Sequence, residues 1–131
     1  MVAIYARPHF KWEELWCKGC DGECSYSISG QPASWVASRA LDKLEDLRVS
    51  LDAPLSVLSA ARCPTHNARV GGAPLSQHRS TERHPSTAFD VMSPRVSLDE
   101  IAAMAENVGF GGIGRYKTFV HCDDRGRRAR W

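Results

Sequence analysis

The sequence predicts an α+β fold, a small antiparallel sheet with helices packed on one side, formed by a single domain over residues 1–131. Three observations carry this. Two segments repeat apolar residues at helical spacing, several short apolar runs read as strands, and the order helix, strand, long loop, strand, helix, strands is that of an α+β chain. The length of 131 residues suits one domain, and no internal repeat marks a second.

Residues 1–31 read as irregular, with Trp12, Leu15 and Trp16 followed by the Gly and Cys cluster from Cys17 to Cys24. Residues 33–51 predict an amphipathic helix, because Val36, Ala40, Leu44, Leu47 and Leu51 recur at three- and four-residue steps and share a face. Pro32 near its start removes only a backbone donor that a first turn leaves unused. Leu55 to Leu58, after Pro54, predicts a short buried strand. Residues 62–87 are rich in Pro, Gly, Ser, Thr and Asn and predict a loop, with one helical turn around Thr65 to Val70. A loop this long in a compact domain points to a functional surface. Ala88 to Met92 reads as a strand. Residues 98–108 predict a second helix: Ser97 and Glu100 have capping-box spacing, Gly109 can end it, and Ile101, Met104, Ala105 and Val108 share a face. Gly111 to Tyr116 and Thr118 to Cys122 read as a hairpin or two edge-forming strands.

Hydrophobic residues at 43% suffice for a core, and charged residues at 24% are ordinary for a soluble domain. A net charge of +2 is too small to argue for nucleic acid. The one basic cluster, Arg125, Arg127, Arg128 and Arg130, reads either as a solvated tail or as a weak attraction to an anionic polymer. No segment reaches the roughly 20 apolar residues of a membrane span. Met1 to His9 lacks the pattern of a secretory signal, so the expectation is a protein made in the cytoplasm. The five cysteines are an odd number, which favours thiols or metal ligands over a disulfide framework. Cys17, Cys20 and Cys24 form a CxxCxxxC pattern that could seed a structural zinc site, with Cys63 or a histidine as fourth ligand. One disulfide and free thiols are the other two readings.

The residues that could carry metal chemistry are His78, His84, Asp90 and His121. A zinc hydrolase needs three protein ligands and an open position for water. Two neutral imidazoles and a carboxylate leave the ion net positive, so it acidifies bound water and polarises a carbonyl. On spacing alone this signal is weak.

Longer motifs strengthen it. The run Arg62-Cys63-Pro64-Thr65-His66-Asn67, leading into Val70-Gly71-Gly72-Ala73 and Ser76-Gln77-His78, resembles the signature of the zinc D-alanyl-D-alanine carboxypeptidase-like peptidases. So do Ala88-Phe89-Asp90-Val91, Gly111-Gly112-Ile113-Gly114-Arg115-Tyr116 and Phe119-Val120-His121-Cys122-Asp123, and the end from Arg125 to Trp131. More loosely, so does His9-Phe10 to Cys17. The resemblance implies a zinc peptidase acting on peptidoglycan peptides as carboxypeptidase or endopeptidase, with one catalytic Zn2+ held on the sheet by His78, Asp90 and His121. Arg62 matches the family arginine before the loop, where a guanidinium could bind a substrate carboxylate, steady an oxyanion, or simply bond loop carbonyls; Ser76 could contact substrate, orient His78, or serve only the turn.

The chain departs from the family pattern in two places. His78 and Asp90 stand twelve residues apart, about five more than in the family's S-x-H-x-x-G-x-A-x-D, so His84 rivals His78 as first ligand. Many relatives carry a Glu three residues before the last histidine, where this chain has Thr118. The candidate base or orienting partner is then Asp123, which faces the same way as His121 if the segment is a strand; a turn aspartate paired with Arg125 is the competing reading. Glu82 is a more remote base. The expected partner is a peptidoglycan peptide bound by a monomer, with no nucleic acid, in a protein acting on the cell wall in the manner of phage or prophage lytic proteins. Two other readings stand beside this one. A wall-binding or phage-structural module without activity is kept open by Thr118, and a small zinc-ribbon-like nucleic-acid binder by the cysteines and the arginine tail.

Overall fold

A computed structural model describes residues 4–19, 36–81 and 84–131. The elements in order are β1 (Tyr5–Arg7), β2 (Phe10–Lys11), α1 (Trp12–Leu15), α2 (Ser38–Leu51), β3 (Ser56–Ser59), α3 (Pro64–Arg69), β4 (Ala88–Met92), α4 (Leu98–Asn107), β5 (Gly112–Arg115), β6 (Val120–Asp123) and β7 (Ala129–Arg130). β1 and β2 pair as a small antiparallel ribbon, and the main sheet has the order β3-β4-β6-β5-β7. Its pairs are antiparallel except β5 with β7, so the sheet is mixed rather than purely antiparallel.

The helices follow their sequence signals. α2 buries Ala40, Leu41, Leu44 and Leu47 on one face and ends at Asp52, a non-glycine residue at φ 49°. Its start at Ser38 is later than expected. Val36 instead bridges Ser86, while residues 33–35 and Pro32 lie outside the described residues. α4 begins with a reciprocal cap. The Ser97 side chain accepts from the Glu100 backbone N–H at 3.1 Å, and the Glu100 carboxylate accepts from the Ser97 N–H at 3.5 Å. α4 packs against β5 and β6, and α2 packs against α4.

Two expectations change. β3 is an edge strand, paired only with β4 and packed on α1, and its residues alternate between exposed and half-buried. The buried leucine there is Leu55, just before the strand, while Leu58 is exposed. The arginine-rich end is not simply a solvated tail. It forms β7, with the Ala129 N–H donating to the Gly111 carbonyl at 3.0 Å and the Trp131 N–H to Ile113 at 3.1 Å. Arg128 and Arg130 pair with Glu106 at 3.0 and 2.9 Å. Among the described residues, no helix is long and apolar enough to cross a membrane.

The alternation of β4, β5 and β6 positions everything that follows. Phe89, Val91, Ile113, Val120 and Cys122 point into the core shared with α2 and α4. Successive strand residues face opposite sides, so Asp90, His121, Asp123, Gly112 and Gly114 share the other face. Asp90 pairs directly with His121, and His121 with Gly114.

Candidate metal centre

His78, Asp90 and His121 converge. Their candidate ligand atoms all lie within 4.8 Å of one another, and all three residues are buried. His78 Nε2 is 3.0 Å from Asp90 Oδ1 and 3.2 Å from His121 Nδ1; His121 Nδ1 is 3.1 Å from Asp90 Oδ1. Two come from paired strands, so the sheet register sets their spacing. His78 comes from the long loop and is fixed by backbone bonds. The Arg62 N–H donates to the His78 carbonyl at 2.8 Å, and the Ser80 N–H to the Arg62 carbonyl at 2.7 Å.

The outer bonds decide which nitrogen faces inward. His78 Nδ1 donates to the Ala60 carbonyl at 2.8 Å, since a carbonyl only accepts, which leaves the Nε2 lone pair toward the cluster. His121 Nε2 donates to Asp123 Oδ2 at 2.7 Å, which leaves Nδ1 inward. His78 Nε2, Asp90 Oδ1 and His121 Nδ1 thus face one another, and a cation among them would meet a donor atom from each. Zinc bonds of about 2.0–2.2 Å in tetrahedral geometry set ligand atoms about 3.3 Å apart, close to the separations here. The donor set and spacing therefore fit zinc.

The electrostatics carry the same demand for positive charge. Burial would raise the Asp90 pKa, yet hydrogen bonds to His121 and His78 outweigh it and hold the carboxyl well below its usual range. Asp123 is likewise held low against burial, by His121 and Arg125. Burial disfavours a charged His121, but its hydrogen bonds to Asp123 and Asp90 prevail and raise its pKa.

The other residues singled out in the sequence divide clearly. His84 lies apart from the cluster, exposed, with its N–H on the Thr81 hydroxyl at 3.1 Å. Asp123 is fully buried, and Arg125 binds both its oxygens, at 2.8 Å to Oδ1 and 2.7 Å to Oδ2. It does not line the cleft. Asp123 Oδ2 accepts from His121 Nε2 at 2.7 Å, and the pairing with Arg125 is present as well. Glu82, Cys20 and Cys24 lie outside the described residues. Ser76 accepts from the His78 N–H at 3.2 Å, and Arg62 donates to Ser59 Oγ at 3.2 Å and approaches Asp90 Oδ2 at 3.5 Å. Cys122 points away from the centre, toward the Phe89 carbonyl at 3.6 Å.

The centre opens into a cleft of ≈ 640 Å³ lined by Arg62, Ser76, Tyr116, Phe119, Arg125 and Trp131 among others. The aromatic wall was not foreseen. Trp131 Nε1 donates to the Tyr116 hydroxyl at 2.8 Å, and the Trp131 ring centre lies 5.1 Å from that of His121. Gly114 makes room for it: a Cβ there would stand 2.5 Å from the indole. At Gly112 a Cβ would stand 2.4 Å from Asp123 Oδ1. Alternate glycines on one strand face were the available sequence signal, since they mark a close approach from that side.

An α+β scaffold that brings two histidines and one aspartate together beside an open cleft has the donor set of a metal hydrolase. The chain belongs to the peptidase M15 family, whose model matches residues 8–123 and takes in all three ligand candidates. No curated protein matches the chain. Family and centre together support a zinc-dependent metallopeptidase.

Proposed function

We propose that this protein hydrolyses peptide bonds in the stem or cross-link peptides of bacterial peptidoglycan, as a D-Ala-D-Ala carboxypeptidase or an endopeptidase. The observation that carries the reading is the convergence of three inward lone pairs at 3.0–3.2 Å on the floor of an open cleft. His78, Asp90 and His121 would hold the zinc, which supplies Lewis acidity toward the scissile carbonyl and acidifies a bound water. Asp123 orients His121 and raises its basicity as a ligand. Arg62 and Arg125 border the cleft and offer guanidinium N–H groups to a substrate carboxylate or a developing oxyanion. Ser76 holds the turn that presents His78, and the Trp131–Tyr116 pair forms a firm wall for the peptide. The proposed site of action is the cell wall, with the protein working as a monomer in the manner of a phage or prophage lytic enzyme.

One observation favours a second reading, a wall-binding module without activity. Among the described residues, Asp90 is the cleft's only carboxylate, and it is committed to the centre. Mass spectrometry of purified muropeptides after incubation separates the two. The peptidase reading expects new fragments with zinc-loaded protein and none after chelation. Intact muropeptides that nonetheless bind the zinc-loaded protein would establish the binding module instead.

A further inference from the structure

Cys17 and Cys63 stand far apart in sequence but close together in space. The Ala61 N–H donates to the Leu15 carbonyl at 3.1 Å and brings the end of α1 to the start of α3, where Cys63 is the N-cap. The two sulfurs are 3.7 Å apart and both residues are buried. A disulfide would hold them at about 2.05 Å. Two thiolates on one tetrahedral zinc, with bonds of about 2.3 Å, stand about 3.8 Å apart.

Each sulfur also receives a backbone N–H, from Cys63 to Cys17 Sγ at 3.5 Å and from His66 to Cys63 Sγ at 3.4 Å. The independent observation is His66, one turn along α3. Its Nδ1 is buried without a hydrogen-bond partner, an arrangement that native proteins rarely leave unexplained. That nitrogen faces the turn after Cys17, where a Cβ on Gly19 would stand 2.1 Å from it.

We infer that Cys17 and Cys63 are thiolate ligands of a structural zinc ion separate from the His78/Asp90/His121 centre, with His66 Nδ1 facing the same turn as a further donor. Cys20 and Cys24 follow Cys17 in the sequence and lie outside the described residues. Sulfur-rich, closed zinc sites are structural, and their binding energy is folding energy. Here the ion would tie the N-terminal segment to α3, which opens the loop that carries His78.

Cobalt substitution of the whole chain tests this independently of any catalysis, because the catalytic centre offers no sulfur. The cobalt protein is expected to show an intense thiolate-to-cobalt charge-transfer band. Cys17→Ser and Cys63→Ser should abolish it, and His78→Ala should leave it in place. Native thiol titration should find cysteines that react only after chelation. A wild-type cobalt spectrum with no thiolate band, or a band that survives both cysteine substitutions, overturns the inference. A wild-type cobalt spectrum without the band overturns the inference even if the cysteine variants fail to fold.

Discussion

The two faces of the central sheet are made by the same strands and share almost no chemistry. On one, Phe89, Val91, Ile113, Val120 and Cys122 are packed against helices α2 and α4. On the other, Asp90, His121 and Asp123 are buried polar groups, with glycines beside them where β5 must leave space. The division runs residue by residue along β4 and β6. Its lesson is that the apolar face fixes the register, and the register fixes the ligands: a slip of one residue would send Phe89 outward and Asp90 into the core. Stability and chemistry are thus separable by substitution while being set by one pairing scheme.

The comparison is sharpest where a substitution should affect one face alone. His121→Ala removes a ligand, so muropeptide cleavage is expected to fall to the level of chelated protein, while circular dichroism stays native. Phe89→Ala, one residue from Asp90, acts oppositely. It should cost about 3–5 kcal/mol in denaturant unfolding, the range for truncating a buried aromatic, with the surviving folded protein still binding zinc. Asp123→Asn keeps the shape but weakens the carboxylate behind His121, and competition with a chromophoric chelator should show zinc affinity lower by about 10–100-fold. A smaller effect is expected from pH. The raised pKa of His121 means that zinc competes with a proton for Nδ1. The metal-free form is favoured below that pKa and loses this support as pH rises, so the gain in Tm on adding zinc should increase from about pH 5 to about pH 8. His84→Ala should change neither stability nor zinc affinity measurably; loss of zinc in that variant would return His84 to the ligand set.

The sequence exposed the parts of the molecule with strong local signals. α4 was legible from Ser97, Glu100 and its apolar spacing, and the cluster of His78, Asp90 and His121 from the motifs around them. What stayed hidden depends on long-range pairing. β7 is two residues long and sits among arginines and a glycine, so no local preference marks it as a strand; its pairing with β5 comes from the sheet edge it completes. Trp131 reads as a chain end until that pairing swings its ring over His121. The burial of Asp123 and its simultaneous bonds to His121 and Arg125 also depend on the folded sheet. β1 and β2 are likewise too short for periodicity to register. The spacing between His78 and Asp90 left two histidines in competition; in three dimensions His78 joins Asp90 and His121, and its backbone is seated by bonds to Arg62.

The proposed chemistry requires a cation at the meeting point of the polar face and the long loop. Anomalous diffraction at the zinc absorption edge, from crystals grown with the metal, tests it most directly. The expected result is a peak about 2.0–2.2 Å from His78 Nε2, Asp90 Oδ1 and His121 Nδ1, with the fourth direction open to the cleft. Zinc-soaked crystals with no peak among those three atoms would contradict it.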